Sequence, residues 1–296
     1  MSGITVIVNP LKVGNLDDAR AELSSELAKF GVHEFEWVPT TAEDTGEGQA
    51  RAAVEAGAEM IFSWGGDGTV RAVASGMLDS GIPLGIIPGG TGNLVAKNLK
   101  LPDNVHGAVA VAMGGGAKTI DVNHVDLGDG VPRISLLICG MGLDAAVIDS
   151  PERLKAIMGP GAYAVAAVKN ALGDAKPITV TIDNELPRRL PARMALAGNF
   201  GKMQMGVNLF AHCDPTDGQV AVFVAKLRGL REAASTGRNV MLHITAHGKH
   251  RLQLSGKRVV FQTTEPWPRE IDGDLVDPGD YMAVEVLPAA LTIRVR

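Results

Sequence analysis

Residues 59–93 read EMIFSWGGDGTVRAVASGMLDSGIPLGIIPGGTGN: two short apolar runs, each ending in a glycine-rich turn and each followed by a helical pattern. Glu59 to Trp64 and Pro83 to Pro88 have the length and flanks of buried strands, and Val70 to Leu78 and Leu94 to Leu99 read as helices. A strand, a glycine turn and a helix start gather bare backbone N–H groups at the positive end of a helix dipole. Such a site holds phosphate without many lysines. The turns are Gly65, Gly66, Asp67, Gly68, Thr69 and Gly89, Gly90, Thr91, Gly92, Asn93. Asp67 alone would repel a phosphate, so its presence implies a bridging Mg2+ and a nucleoside triphosphate. The structural alternative is two tight turns, with Asp67 as an N-cap.

Outward from this stretch, the first ~125 residues alternate strand and helix, the rhythm of a parallel sheet covered by helices. Ile4 to Val8 is a strand ending at Asn9-Pro10. A helix follows with Leu16, Ala19, Leu23, Leu27 and Phe30 on one face, stopped by Gly31. Next come a strand from Glu34 to Val38 and a helix from about Ala42 to Ala56 with Ala50, Ala53 and Val54 inward. Right-handed crossovers then bring both glycine turns to the carboxyl edge of the sheet.

From about Thr119 the pattern shortens to alternating β-like runs: Ile120 to Leu127, Ile134 to Cys139, Ile178 to Ile182, Arg193 to Ala197, Val220 to Val224 and Lys257 to Gln262. Helical interruptions are expected at Pro151 to Leu172 and after Arg228. The expected architecture is an α/β, Rossmann-like nucleotide-binding domain over residues 1–120, then a mostly antiparallel β-sandwich over 121–287. A β-like tail, 288–296, is expected to return to the first domain.

The 296 residues are 46% hydrophobic and 21% charged, enough to bury a full core, and the net charge of −5 argues against a general nucleic-acid binder. Cys139 and Cys213 form no CxxC or disulfide framework, which favours a reducing, cytoplasmic setting. Ile4 to Val8 is too short for a signal peptide, and no run approaches the length of a membrane span.

In this order, Asn9-Pro10, GGDGT at Gly65 to Thr69, PGGTGN at Pro88 to Asn93 and Ile271-Asp272-Gly273-Asp274 resemble the diacylglycerol kinase catalytic family, which includes bacterial lipid kinases and sphingosine and ceramide kinases. Softer echoes are Gly140-Met141-Gly142-Leu143-Asp144 and Asp214-Pro215-Thr216-Asp217-Gly218. The resemblance implies ATP and Mg2+ held between two domains and transfer of the γ-phosphate to diacylglycerol. It implies a lipid substrate met at the membrane surface by a transient, peripheral protein, and it leaves a homodimer open. NAD kinases and phosphofructokinases share the first turn, and the second distinguishes this chain from them.

By the same resemblance Asp272 is the general base, and Asn9, Gly65, Gly66, Asp67, Gly68, Thr69, Gly90, Thr91, Gly92 and Asn93 bind the nucleotide. Asp67 is also assigned to catalysis and metal, Asp274 to orienting metal or water, and Asp214 and Asp217 to a structural metal. Each has a plainer counterpart: a hairpin turn for Asp272-Gly273-Asp274 and turn chemistry for Asp214 and Asp217. Two positions depart from the family. Leu94 stands where an acid commonly follows GTGN, which weakens any metal scheme needing that acid and raises a nucleotide-sensing regulator as the rival. Phe210-Ala211-His212 replaces a triplet that usually contains proline. Lys12 and Lys97 are within reach of a phosphate in principle, and Arg188, Arg189 and Arg193 form the densest basic cluster. His243, His247 and His250 lack the glutamate of a zinc-binding HExxH. Leu154 to Val168 is the candidate apolar wall for a lipid.

Overall fold

The computed structural model describes residues 3–142, 175–201, 209–210, 213–225 and 251–296. The chain divides into two compact units, Met1–Val122 with Pro288–Arg296, and Asn123–Leu287.

In the first unit, β1 (Ile4–Val8), α1 (Leu16–Ala28), β2 (Glu36–Pro39), α2 (Glu47–Glu55), β3 (Met60–Gly65), α3 (Asp67–Met77), β4 (Leu84–Pro88), α4 (Leu94–Asn98) and α5 (Val105–Gly114) follow one another. The strands are parallel in the order β2-β1-β3-β4, and Ile293 pairs with Leu84 on the far side of β4. The interior strands are buried on both faces, which is why their sequences are unbroken apolar runs. Val6, Val8, Phe62, Trp64 and Ile87 pack with Leu23 and Leu27 of α1 and Val109 of α5. The intervening Ile7, Ile61 and Ile86 point to the opposite face, as strand alternation requires.

Several local expectations change. The second helix begins at Glu47 rather than Ala42, because Asp44 Oδ1 accepts the amides of Gly46 and Gly48 and Gly46 takes φ +138°. Phe30 lies beyond the end of α1 and is 43% exposed, so it leaves the inner face assigned to it. The helix after the first turn starts at Asp67, three residues early. Helix α5 was unforeseen; its N-cap is Asn104, which accepts the amide of Gly107.

The second unit contains the end of β5 (Gly116–Asp126), then β6 (Arg133–Ser135), β7 (Ile138–Met141), β8 (Lys176–Ile182), β9 (Arg188–Ala192), β10 (Met194–Gly198), β11 (Val220–Ala225), β12 (Arg251–Gly256), β13 (Arg258–Ile271) and the larger part of β14 (Asp274–Val295). All its pairings are antiparallel: β12-β11-β10-β7-β13-β14 in one path, with β8 on β13, β9 on β8 and β6 on β5. Cys139, Met141, Val180, Val222, Phe261 and Val284 belong to its core. The run expected as one strand from Ile134 to Cys139 is broken at Leu136 and Leu137. Strand β13 runs on to Ile271, far past the expected Gln262, with register shifts between Gln262 and Arg269 that absorb Pro266 and Pro268. The expected helices at 151–172 and after Arg228, the 154–168 wall, Leu143, Asp144, Ala211, His212, His243, His247 and His250 lie outside the described residues.

Candidate active site

Strands β3 and β4 are neighbours in register, Gly65 opposite Pro88, so the two glycine turns emerge side by side. Their backbones touch. The Gly89 amide donates to the Gly65 carbonyl at 2.8 Å, and a Cβ on Gly90 would stand 2.7 Å from the Gly66 Cα. A Cβ at Gly90 has no room against the Gly66 backbone and one at Gly65 would run into Thr69, which is the physical reason for glycine at those two positions. Gly66 caps α3, and the first N–H groups of that helix have no intrahelical acceptor.

Three side chains brace this platform. Asn93 sits in the left-handed region at φ 48°, ψ 46°; its Oδ1 accepts the Gly90 amide at 2.9 Å and its Nδ2 donates to the Gly90 carbonyl at 2.8 Å. Asn9, past the end of β1, donates through Nδ2 to Thr69 Oγ1 at 3.1 Å and accepts the Leu11 amide. Thr69 itself is buried. Asp67 is not the N-cap but the first residue of α3, and its Oδ1 accepts the Val95 amide at 3.0 Å, tying the first turn to the start of α4. A crevice too narrow to admit a water molecule runs between Gly66, Asp67, Pro88 and Asn93. A roomier depression, about 450 Å³, lies beside α1 and β2 among Asp17, Arg20, His33 and Phe35 and includes none of the turn residues. Gly68, Thr91, Lys12 and Lys97 are exposed.

The second unit holds a separate constellation. Asp272 and Gly273 form a two-residue hairpin between the paired Ile271 and Asp274, with φ +52° and +90° as a type I′ turn demands. The β7–β13 ladder, Cys139 opposite Ile271, brings Asp272 alongside the break between β6 and β7. There its carboxylate meets a row of donors. Oδ1 accepts Ser135 Oγ at 2.7 Å, the Leu137 amide at 2.9 Å and the Ile138 amide at 3.1 Å, while Oδ2 accepts the Leu136 amide at 2.9 Å. The Asp272 amide returns a bond to the Ile138 carbonyl, and Glu270 Oε2 accepts the Gly273 amide. Thus the break in the expected strand is where three successive amides turn from the ladder toward a carboxylate.

Of the other assigned residues, Asp274 is exposed at the start of β14. Asp214 Oδ1 accepts Thr216 N and Oγ1, and Asp217 Oδ1 accepts the Gln219 amide, both local turn bonds. Burial, with Asp217 and Asp214 adding to it, pushes the neighbouring Cys213 thiol up to about 12. Cys139 is raised well above its ordinary value, first by burial and then by Glu270 and Asp272. Among the described residues, no three His, Cys, Asp or Glu side chains cluster as a metal site.

Sequence reasoning missed Ser135 and the amides of Leu136, Leu137 and Ile138. Amides leave no trace in residue identity, and Ser135 is one serine in an apolar run.

The chain thus carries paired glycine turns on its parallel α/β unit and a cradled aspartate on its antiparallel unit. Residues 3–125 match the family described as "Diacylglycerol kinase catalytic domain". A Mycobacterium tuberculosis (strain ATCC 25618 / H37Rv) protein named "Diacylglycerol kinase" is 28% identical over 227 residues, 75% of this chain and 73% of that protein. An uncharacterised Synechocystis protein is 28% identical over 243 residues, 80% of this chain but 55% of the longer relative. The fold matches a crystal structure titled as a diacylglycerol kinase from Bacillus anthracis str. Sterne, with a TM-score of 0.75, 19% identity and coverage of 100% of this chain and 97% of the other. The resemblance read from the sequence therefore stands: the chain is similar to proteins named diacylglycerol kinase and lipid kinase, a phosphotransferase family.

Proposed function

We propose that the protein is an ATP- and Mg2+-dependent lipid kinase that phosphorylates the hydroxyl of diacylglycerol to give phosphatidic acid. The observation that carries this reading is the contact of the two glycine turns, which leaves backbone N–H groups and a helix start beside one carboxylate, Asp67. Mg2+ characteristically binds one or two carboxylates and completes its octahedron with phosphate oxygens and water, so a single aspartate at a phosphate platform suits it. Asp67 would hold that ion, whose chemistry is to neutralise charge on the transferring phosphoryl group. Gly65, Gly66, Gly68, Thr69, Gly90, Thr91, Gly92 and Asn93 would hold the phosphates, and Asn9 would fix Thr69.

The acceptor hydroxyl oxygen forms the new bond to the γ-phosphorus as the bond to the β,γ-bridging oxygen breaks and ADP leaves. Asp272 takes the hydroxyl proton, and Asp274 orients metal or water beside it. No helix among the described residues is long and apolar enough to cross a membrane, and we place the encounter with lipid at the membrane surface.

Labelled ATP, Mg2+ and a panel of acceptors in mixed micelles test the reading. Labelled phosphatidic acid is expected. Label in a sphingoid base, monoacylglycerol or phosphatidylglycerol alone would transfer the activity to that acceptor. ATP binding with no lipid labelled, in keeping with Leu94, would make the protein a nucleotide-sensing regulator. Asp272→Asn is expected to bind ATP while turnover falls about 1000-fold.

A further inference from the structure

We propose that the β8–β9 turn, with the β12–β13 turn fastened to it, anchors the protein to an anionic lipid bilayer. The choice of a bilayer as occupant rests on the lipid-kinase reading. Leu186, in the turn between β8 and β9, is 86% exposed. A single exposed leucine is ordinary; the company of this one is not. Pro187, Arg188 and Arg189 follow it, all exposed, and Lys257 and Arg258 are exposed on the neighbouring turn.

The two turns are held as one piece. The Asp183 amide donates to the Arg258 carbonyl at 2.8 Å, and Asp183 Oδ1 accepts the amides of Lys257 and Arg258, both at 2.8 Å. A Cβ on Gly256 would run into Ile182 and Asp183, so the turns meet without a gap. The Asp183 carboxylate is thereby turned onto main-chain donors. Glu185 pairs with Arg188 at 2.6 Å, and Glu285 stands 3.6 Å from Arg258. Arg189 and Lys257 have no carboxylate partner among the described residues. Two uncompensated cations therefore stand beside an apolar tip on a chain whose net charge is −5. An anionic surface repels such a chain as a whole and attracts it at this spot, which decides the side it presents. The leucine enters the headgroup region while the cations meet lipid phosphates, the two contributions that together hold a peripheral protein.

Ile182 pairs with Val259 at the start of β13, and Ile271 at its other end leads into the Asp272 hairpin. The tip is thus an anchor, separate from the proposed base.

Vesicle sedimentation tests the anchor. Vesicles of phosphatidylglycerol with phosphatidylcholine should carry the protein down, and vesicles of phosphatidylcholine alone should leave it in solution. Salt at about 1 M, which shortens the Debye length to about 3 Å, should release it. Arg189→Ala with Lys257→Ala should weaken binding about 25-fold, about fivefold for each cation. Leu186→Ala should cost about fivefold, and Leu186→Trp, which keeps an apolar side chain suited to the interface, should bind at least as well as the wild type. All of these variants should phosphorylate a water-soluble short-chain diacylglycerol at the wild-type rate. Equal sedimentation with phosphatidylcholine vesicles, or unchanged sedimentation of the variant lacking Leu186, Arg189 and Lys257, overturns the anchor. So does binding of soluble polyglutamate at the tip without binding of vesicles, which would give the surface to an acidic polypeptide. If vesicles bind through the tip and no lipid is phosphorylated, the anchor stands and the kinase reading falls.

Discussion

The glycine turns and the Asp272 hairpin use the same material, backbone N–H groups aimed at an anion, to opposite ends. At residues 65–69 the first amides of α3 have no intrahelical acceptor, and the carboxylate there, Asp67, accepts the Val95 amide. At residues 135–138 the donors are consumed internally by Asp272, which accepts four bonds. The first arrangement suits an arriving anion and the second immobilises a resident one. Helix-start amides open to solvent cost little because water can satisfy them, whereas a resident carboxylate is part of the folded structure.

The largest expected effect follows from that difference. Asp272→Ala strands three amides and a buried hydroxyl and puts alanine at φ +52°, so it should lower unfolding free energy by about 3 kcal/mol, against about 1 kcal/mol for Asp67→Ala, measured by urea denaturation. Equal losses would break the contrast. Next, Gly90→Ala forces a Cβ against the Gly66 Cα and should cost about 2 kcal/mol and weaken ATP binding in calorimetry. Asn93→Ala loses two bonds and the left-handed preference for about 1–2 kcal/mol, and Asn93→Gly, keeping the backbone freedom, should lose less.

The smallest effect concerns Cys213, beside Asp214 and Asp217. Its folded pKa, about 12, lies above the ordinary thiol value, so the folded state binds the extra proton and its stabilising contribution, intact below about 8.5, is lost as pH rises toward 12. Alkylation of Cys213 at pH 8 should be slower than that of a small-molecule thiol. A rate equal to the small-molecule thiol's would show that the loop does not shield it.

What was legible in the sequence follows the same divide. The strands and turns of residues 59–93 could be read because a parallel strand, a glycine turn and a helix start are contiguous, and their patterns are local. Asn9 and Asn93 stood out through the Asn9-Pro10 and PGGTGN blocks of the resemblance, since asparagine at a strand or helix end is otherwise an ordinary turn or cap residue. The Asp272 cradle was illegible: its donors lie some 135 residues upstream, are mostly main-chain, and meet the aspartate only through the β7–β13 register. The break at Leu136 and Leu137 was hidden for a related reason. Apolar side chains report burial, not whether the backbone between them continues its ladder. Helix α5 was missed because Val105 to Gly114 is apolar almost throughout, with no polar face to reveal its period.

The last residues of the chain bear on how the protein is made. Pro288–Arg296 belongs to the first unit: Ile293 pairs with Leu84, Thr292 meets Thr119, the Ala289 amide bonds Asp121, and Arg294 reaches the carbonyls of Ala112 and Gly115. The glycine-turn sheet therefore lacks its neighbour beside β4 on the ribosome until residues 288–296 emerge, after the whole antiparallel unit has been synthesised, and a chain interrupted anywhere in the second unit leaves the first one unfinished as well.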